Sequence, residues 1–294
     1  MLVEPPRDRL AGIGDEAGAD LATQIDAVQR LGWSAIELRT VDGAHLADLD
    51  DRHFDAVHRA VRDAGLDVVC LASRIGNWAR PITAPFDDDL RELDVLAQRC
   101  AALGTRFVRI MSYPNDGLEE PEWRDRVLDR LSRLAARATA HDVVLLHENC
   151  AGWAGEDADR MLRLVAEVGG PALRLLFDTG NGIAHGYDSY AVLRRILPHV
   201  AHVHVKDAVG TPGSATYVLP GDGRSRVVDC LRLLHAAGYS GALSIEPHLG
   251  TRPHEGVVAT SAERFVQAGH RLERLLRVAA LPPAPADSTA TPAT

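Results

Sequence analysis

The sequence predicts a single-domain (β/α)8 TIM barrel, and three observations support this prediction. Short runs rich in Val, Ile and Leu alternate with longer segments of helical period, as in repeated βα units around a parallel sheet. We count eight such runs, each followed by a candidate helix. The 294 residues are enough for one barrel, and no long linker or charge run divides them.

The predicted strands follow one another at regular intervals along the chain. They cover residues 10–14, 34–38, 67–72, 107–111, 143–147, 173–177, 202–205 and 243–245. Glycine follows four of the intervening amphipathic segments, at the position where a helix C-cap needs a positive φ. These glycines are Gly32, Gly65, Gly104 and Gly238.

A doubly wound sheet is the alternative architecture, but no G-x-G-x-x-G opens the first helix to bind a dinucleotide. The segment 73–86 is long for a βα loop and is interpreted either as a lid over the barrel mouth or as an ordered surface loop. Residues 1–279 are assigned to the barrel. Residues 280–294, rich in Pro, Ala and Thr, are predicted to form a disordered tail.

Composition and charge exclude several classes of protein. The formal charge of -9 opposes attraction to nucleic acid and to anionic membrane surfaces. No stretch approaches the roughly 20 apolar residues of a membrane helix, and the first residues lack the pattern of an export signal. The four cysteines form no C-x-x-C pair, unlike a disulfide framework. A soluble protein of the reducing cytoplasm is therefore expected.

Polar residues at the ends of four consecutive strands carry the chemistry that we predict. In a barrel, reacting groups sit at the C-terminal ends of strands, and neighbouring strands lie about 4.8 Å apart. Three carboxylates gathered there would be costly to bury without a cation. The sequence thus predicts a site for one divalent metal ion, formed by Glu148, Asp178, His204 and Glu246.

One lysine stands out, because every other basic residue apart from histidine is an arginine. Lys206 lies two residues after His204, so both side chains point to the same face of an extended strand. A compact ammonium group beside the metal site suits contact with a substrate oxygen better than a guanidinium does. Asp207 is expected to orient it.

The strand-end sequences HEN, FDTGN, HVHVKD and SIEP, together with the P-G-D-G at residues 220–223, resemble a known family. This is the xylose isomerase-like barrel superfamily of sugar-phosphate isomerases and epimerases, which also contains inosose dehydratases and apurinic endonucleases. The resemblance covers about residues 8–278. It implies that the four residues above are metal ligands and that Glu148 and Glu246 also form the acid/base pair.

The chain departs from that family at several positions, including Gly210 and its neighbours, which stand where some ketose epimerases carry an arginine after the strand-seven histidine. Many sugar epimerases carry a histidine three residues after the strand-six aspartate, where this chain has Asn181, which binds a hydroxyl but does not titrate. Cys150 follows HEN where relatives often show histidine. Substrate identity therefore does not follow from the resemblance.

Further side chains near strand ends are candidates for substrate contact. Glu37 and Arg109 end strands two and four, where ion-pair packing between barrel layers is the alternative. Trp78 lies in the long segment 73–86. With Asn181 and Lys206 these residues form the predicted substrate-binding set, whereas His202 is interpreted as a histidine of the core or behind the metal ligands.

The predicted function is that of an isomerase or epimerase that acts on a sugar, ketose or cyclitol. Glutamates would transfer the proton through a metal-stabilised enediolate. Mn²⁺ is the expected ion, with Mg²⁺, Co²⁺ and Zn²⁺ as alternatives. A dehydratase or lyase using the same site is the main alternative, followed by an apurinic endonuclease and a non-catalytic sugar-binding barrel. The expected partner is a small sugar-like molecule, not nucleic acid or membrane, and a homo-oligomer is left open.

Overall fold

The structure is a computed structural model that describes residues 9–249, 251–252, 257–258 and 261–280. The predicted tail, 280–294, lies outside the described residues except for Ala280, so its disorder stays a prediction. Within the described part of the chain, no helix combines the length and the apolar character that a membrane span requires.

Eight parallel strands form the central sheet, as the sequence predicts. The hydrogen-bonded order runs β1-β8-β7-β6-β5-β4-β3-β2, so neighbours in the chain are neighbours in space. The strands are β1 (Leu10–Gly12), β2 (Ala35–Leu38), β3 (Asp67–Ala72), β4 (Phe107–Ser112), β5 (Val144–Gly152), β6 (Leu173–Asp178), β7 (Val200–Val205) and β8 (Leu243–Ile245).

The sheet closes on itself into a barrel. Leu10 pairs with Leu243 at the junction of β1 and β8. A parallel bridge between Ile13 and Glu37 joins the end of β1 to β2, which completes the ring. This closure confirms the (β/α)8 prediction over the doubly wound alternative.

Helices separate the strands and cover the outside of the barrel. Glycines 32, 65, 104 and 238 all have positive φ just after a helix, which confirms the C-cap prediction. The helices are α1 (Leu21–Arg30), α2 (Asp51–Asp63), α3 (Phe86–Leu103), α4 (Glu120–Ala140), α5 (Ala158–Val168), α6 (Asn181–His185), α7 (Ser189–Ile196), α8 (Val227–Ala236) and α9 (Ala262–Ala279).

Two apolar cores hold this arrangement together. The larger one fills the layer between the sheet and the helices. The smaller one lies inside the barrel and consists of Cys70, Val144, Leu146 and Leu176, below the polar residues of the mouth. At Gly12, a Cβ atom would come within 2.4 Å of the Phe265 ring, so glycine lets α9 pack directly against β1.

Excursions from the minimal barrel lie at the C-terminal mouth. One hairpin pairs Thr40–Val41 with Ala44–His45 after β2. Another pairs Asp207–Thr211 with Ser214–Val218 after β7. Strand β5 continues to Gly152, beyond the predicted end at residue 147, because Gly152 still pairs with Ser112 after extra residues bulge out of β5.

Candidate metal centre and active site

The four predicted metal ligands lie together at the ends of β5 to β8. Each is at most 4% exposed, and one potential ligand atom from each residue lies within 4.8 Å of the others. Because the strands are consecutive, Glu148 on β5 and Glu246 after β8 flank Asp178 and His204. The geometry therefore brings the predicted set to one point.

Asp178 presents one oxygen to this point and uses the other for local structure. Its Oδ1 accepts hydrogen bonds from the backbone N–H groups of Gly180 and Asn181, at 2.7 and 2.8 Å. Its Oδ2 is buried and accepts no hydrogen bond, and its nearest cation is Lys206 Nζ at 3.2 Å. The turn after β6 thus aims Oδ2 into the cluster.

His204 is oriented from behind by a carboxylate. Its Nε2 lies 3.1 Å from Oε1 of Glu37, which places the ring proton on that nitrogen. Its Nδ1 is buried without a hydrogen bond, 3.5 Å from Glu246 and 3.9 Å from Glu148. A carboxylate that fixes a ligand histidine in this way is a common feature of metal sites.

Glu246 is held by two cationic side chains. Its Oε1 lies 2.8 Å from an Arg39 guanidinium nitrogen and its Oε2 lies 2.8 Å from Lys206 Nζ. Burial raises the pKa of Glu246, but the charges of Lys206 and His248 outweigh burial, and its pKa lies well below the ordinary value. Glu246 is therefore a carboxylate at neutral pH.

Glu148 has weaker contacts. Its Oε1 accepts a hydrogen bond of 3.1 Å from the Asn181 amide, and its Oε2 lies 3.4 Å from Arg109 Nε. The Arg109 guanidinium also donates to the carbonyl of Ser73 at 3.2 Å. Arg109 and Asn181, both predicted to bind substrate, thus also position this glutamate.

Lys206 points into the cluster, on the same side as His204, as predicted. Burial lowers its pKa, but Asp178 and Glu246 outweigh burial and raise it well above the ordinary value, so the group is an ammonium. A Cβ atom at Gly180 would come within 2.7 Å of Lys206 Cγ, so this glycine makes room for the lysine stem. Asp207 does not orient Lys206, because its carboxylate accepts N–H groups from Gly221, Gly223 and Ser225.

The donor set fits a divalent cation. Two buried polar atoms, His204 Nδ1 and Asp178 Oδ2, lack hydrogen bonds and face carboxylates within the cluster. Burial lowers the pKa of His204, but the charge of Glu37 outweighs it and raises the pKa to about 10. At neutral pH the ring therefore carries a second proton, on Nδ1. A cation that binds Nδ1 would displace this second proton, so binding of the cation would weaken as the pH falls.

A cavity of about 1000 Å³ opens above the cluster. Polar groups from all sides of the mouth line it, including Glu148, Glu246, Lys206, Asn181 and Arg109. A cavity of this size, with convergent polar groups at its floor, is suited to a small molecule.

Loop 73–86 forms one wall of the cavity. Ile75 and Ile82 are fully buried, and the Met111 N–H donates to the Ile75 carbonyl at 3.0 Å. Trp78 is 46% exposed and lines the cavity, and its contact with a substrate stays a prediction. The anchoring favours an ordered loop over the alternative of a lid.

Glu37 does not lie where the substrate-binding prediction places it. It is fully buried beneath His204 and is absent from the cavity wall. Its carboxylate contacts His202 at 2.8 Å and His204, and these histidines lower its pKa well below the ordinary value although burial raises it. The alternative of packing between barrel layers describes it better.

Sequence reasoning missed the acidic group that holds Arg39. The 3-10 turn Gly14–Glu16 after β1 places Asp15 and Glu16 each 2.8 Å from the Arg39 guanidinium. His248 donates its backbone N–H to Glu16. Glu16, Glu246 and His248 are close enough to resemble a second metal site, but Arg39 bridges the two glutamates. The position of Asp15 and Glu16 directly after β1 was the available signal.

Three curated relatives match parts of the chain. An inosose dehydratase of Geobacillus thermodenitrificans is 27% identical over 142 residues, 43% of this chain and 47% of that protein. A 2-epi-5-epi-valiolone 7-phosphate 2-epimerase of Actinoplanes sp. is 31% identical over 186 residues, 61% of this chain and 64% of that protein. A probable endonuclease 4 of Methanoculleus marisnigri is 28% identical and covers 70% of this chain and 75% of that protein. The chain thus spans about half to two thirds of the length of the first two.

Solved structures share the fold. The IOLI protein with a bound zinc atom superposes with a TM-score of 0.71 at 18% identity, over 91% of this chain and 98% of that chain. A xylose isomerase-like TIM barrel protein from Mycobacterium smegmatis in complex with magnesium gives a TM-score of 0.67 at 17% identity, over 94% and 98%. The family model described as a xylose isomerase-like TIM barrel matches residues 25–268. With most of its length matched, the chain belongs to the xylose isomerase-like TIM barrel family.

Proposed function

We propose that the chain is a divalent-metal-dependent enzyme that isomerises or epimerises a neutral sugar, ketose or cyclitol by proton transfer. One observation carries the proposal: two glutamates flank Asp178 and His204 at the floor of a cavity of about 1000 Å³. A carbon-bound proton next to a carbonyl is weakly acidic, so its removal needs a positioned base and charge stabilisation.

The chain's own residues supply the proton-transfer groups. Glu148, Asp178, His204 and Glu246 would hold the cation, which supplies Lewis-acid polarisation of a substrate carbonyl when bound. Mn²⁺ suits this oxygen-rich set, and Mg²⁺, Co²⁺ and Zn²⁺ are the alternatives. Glu148 and Glu246 approach from the first and last of four strands, so one removes the proton and the other returns it.

Charge around the cavity favours an uncharged substrate. Each arginine and lysine of the cavity wall has a carboxylate within 3.4 Å, so a phosphate group would compete with those carboxylates. This feature supports a free sugar or cyclitol over a sugar phosphate. The cations concerned are Arg39, Arg74, Arg109 and Lys206.

Elimination of water is the second candidate, and Lys206 is the observation that favours it. Its ammonium group lies at the cavity floor, 2.8 Å from Glu246, where it can donate a hydrogen bond to a leaving hydroxyl. A relative bears the name inosose dehydratase, in keeping with this chemistry. The endonuclease alternative is less favoured, because Arg109 and Asn181 stand where that branch needs further histidines.

Hydrogen exchange in D₂O tests the proposal. The metal-loaded protein is incubated with a panel of ketoses and keto-inositols, and deuterium at the carbon next to the carbonyl is followed by NMR and mass spectrometry. Deuterium in a product of unchanged formula indicates isomerisation or epimerisation, whereas a product lighter by one water indicates elimination. Metal analysis should give about one ion per chain. No exchange with any member of the panel, or activity that persists after EDTA treatment, would overturn the proposal.

A further inference from the structure

A second group of acid/base side chains lies on the wall of the same cavity, apart from the metal cluster. Helix α6 starts at Asn181 and ends at His185, and residues four apart share one face of a helix. Both side chains line the cavity. Asn181 offers no group that can exchange a proton, but His185 places an imidazole on the same part of the cavity wall.

His185 is oriented by a carboxylate. Its Nδ1 lies 2.9 Å from Oε1 of Glu156, in the loop between β5 and α5. Its Nε2 lies 4.0 Å from Sγ of Cys150, which also lines the cavity. An imidazole held by a carboxylate through one nitrogen presents the other to a reaction partner.

Cys150 is a thiol and not a nucleophile in this arrangement. Burial and, next, the charge of Glu148 raise the pKa of the thiol, so it stays protonated. A thiol is a weak hydrogen-bond donor, and its contact with Nε2 is long. A substrate hydroxyl can replace this contact at little cost.

The other groups packed around His185 do not compete for its proton. Tyr187 stacks on the ring at 6.5 Å, and burial raises the pKa of its phenol well above the ordinary value. The hairpin 207–218 packs on α6 through the Gly213 N–H and the Ala184 carbonyl. Its Tyr217 faces Lys206 and His248 instead, and Asp207 bonds the loop 221–225.

We propose that His185 is a further catalytic residue, oriented by Glu156, that exchanges a proton with a substrate hydroxyl while the glutamates move the carbon-bound proton. The inference rests on the proposed function. When a hydroxyl becomes a carbonyl, its O–H bond breaks, the proton goes to Nε2, and the electron pair stays on oxygen. The imidazolium formed faces Glu156 and returns the proton to the oxygen that becomes a hydroxyl.

The first test follows turnover against pH with a substrate found by the exchange screen. His185→Gln should lower kcat/KM by about a hundredfold and change the dependence of kcat/KM on pH, because an amide cannot exchange the proton. Glu156→Gln should also lower kcat/KM, but by less than His185→Gln, because the imidazole remains and loses only the carboxylate that orients it. The exposed His53→Gln should leave the profile in place. A profile unchanged in His185→Gln would overturn the proposal.

The second test does not depend on turnover. Imidazole resonances of the full-length protein are recorded by NMR while myo-inositol, a neutral polyol, is added as the probe. The His185 resonances should move and those of His53 should not, and Glu156→Gln should weaken the response. If exchange dependent on Glu148 proceeds but no ketose or polyol moves His185, the histidine is structural and the inference fails alone. If His185 responds but nothing exchanges, the proposed function fails, and the inferred role in proton exchange fails with it.

Discussion

The two glutamates that flank the cluster have different surroundings. Both oxygens of Glu246 are 2.8 Å from a cation, Arg39 on one side and Lys206 on the other. Glu148 has an amide at 3.1 Å and a guanidinium at 3.4 Å. More positive charge around a carboxylate makes it a poorer base. Under the proposed function, Glu246 would therefore mainly anchor the site, and Glu148 would be the better placed base.

Removal of either carboxylate should have the largest effect. Glu148→Gln and Glu246→Gln keep the side-chain shape but cannot move a proton, so each should lower the exchange rate by about 10²-fold or more. Glu148→Gln should retain metal better, because Glu246 keeps its two cationic partners. Exchange rates and metal content check both statements, with the exposed Glu122→Gln as control. A near wild-type rate in either variant would remove that residue from the acid/base pair.

Lys206 contacts Glu246 and contributes to the difference between the two glutamates. The variant Lys206→Arg therefore tests the comparison directly. Charge is conserved, but a guanidinium is larger and planar, so it should not take the place of Nζ between Asp178 and Glu246 without displacing Glu246. We expect turnover to fall by about a hundredfold, as for a small misplacement at the reacting centre. Arg232→Lys on α8 is the matched control. An unaffected Lys206→Arg variant would make the single lysine an accident of composition.

Glu37 contacts His204 and neither Glu148 nor Glu246. Its loss should therefore weaken metal binding without changing the difference between the two glutamates. Glu37→Gln should weaken metal affinity by about 10 to 100-fold, since the amide no longer favours the required tautomer. Competition with a chelator measures this change. Glu273→Gln on α9 is the control, because it changes a carboxylate that accepts a hydrogen bond from Trp33 away from the cluster. Unchanged affinity would show that ring packing alone orients His204.

Substitution of Asn181 should have the smallest effect on the rate, because Asn181 contacts Glu148 and not Glu246. Asn181→Ala removes one hydrogen bond to Glu148, worth about 1 kcal/mol or roughly a fivefold change in rate. Metal content should be intact. Asn181→Asp should be worse than alanine, because it places a like charge beside Glu148. If Asn181→Ala instead abolishes metal binding, the Asn181 amide is needed to hold the ion and not only to position Glu148.

The barrel and the convergence of the four proposed ligand residues follow from the sequence, because both depend on short-range patterns. Alternation of apolar runs and helical segments predicts the strands, and polar residues that close those runs predict Glu148, Asp178, His204 and Glu246. The orientation of Lys206 follows from the two-residue period of a strand.

The supporting contacts do not follow from such patterns. Glu37 was predicted to lie at the mouth, but its contacts with His202 and His204, which are far away in the chain, place it beneath His204. The Asp15–Glu16–Arg39 network joins separate loops. Glu156 lies in the loop before α5 and His185 ends the short helix α6. No periodic pattern in the sequence predicts that these two segments lie side by side.

The contact between Glu37 and His204 joins residues 167 positions apart in the chain. All four ligand residues come from the second half of the sequence, yet the ring that presents Nδ1 is aligned from the first half. On the ribosome, where N-terminal segments emerge first, β2 is available early but Glu246 arrives with the last barrel strand. If the cluster binds an ion as proposed, full affinity requires closure of the ring between β1 and β8. A nascent chain that stops before Leu243 would have three of the four proposed ligands and an open edge, so metal binding would report that the ring has closed.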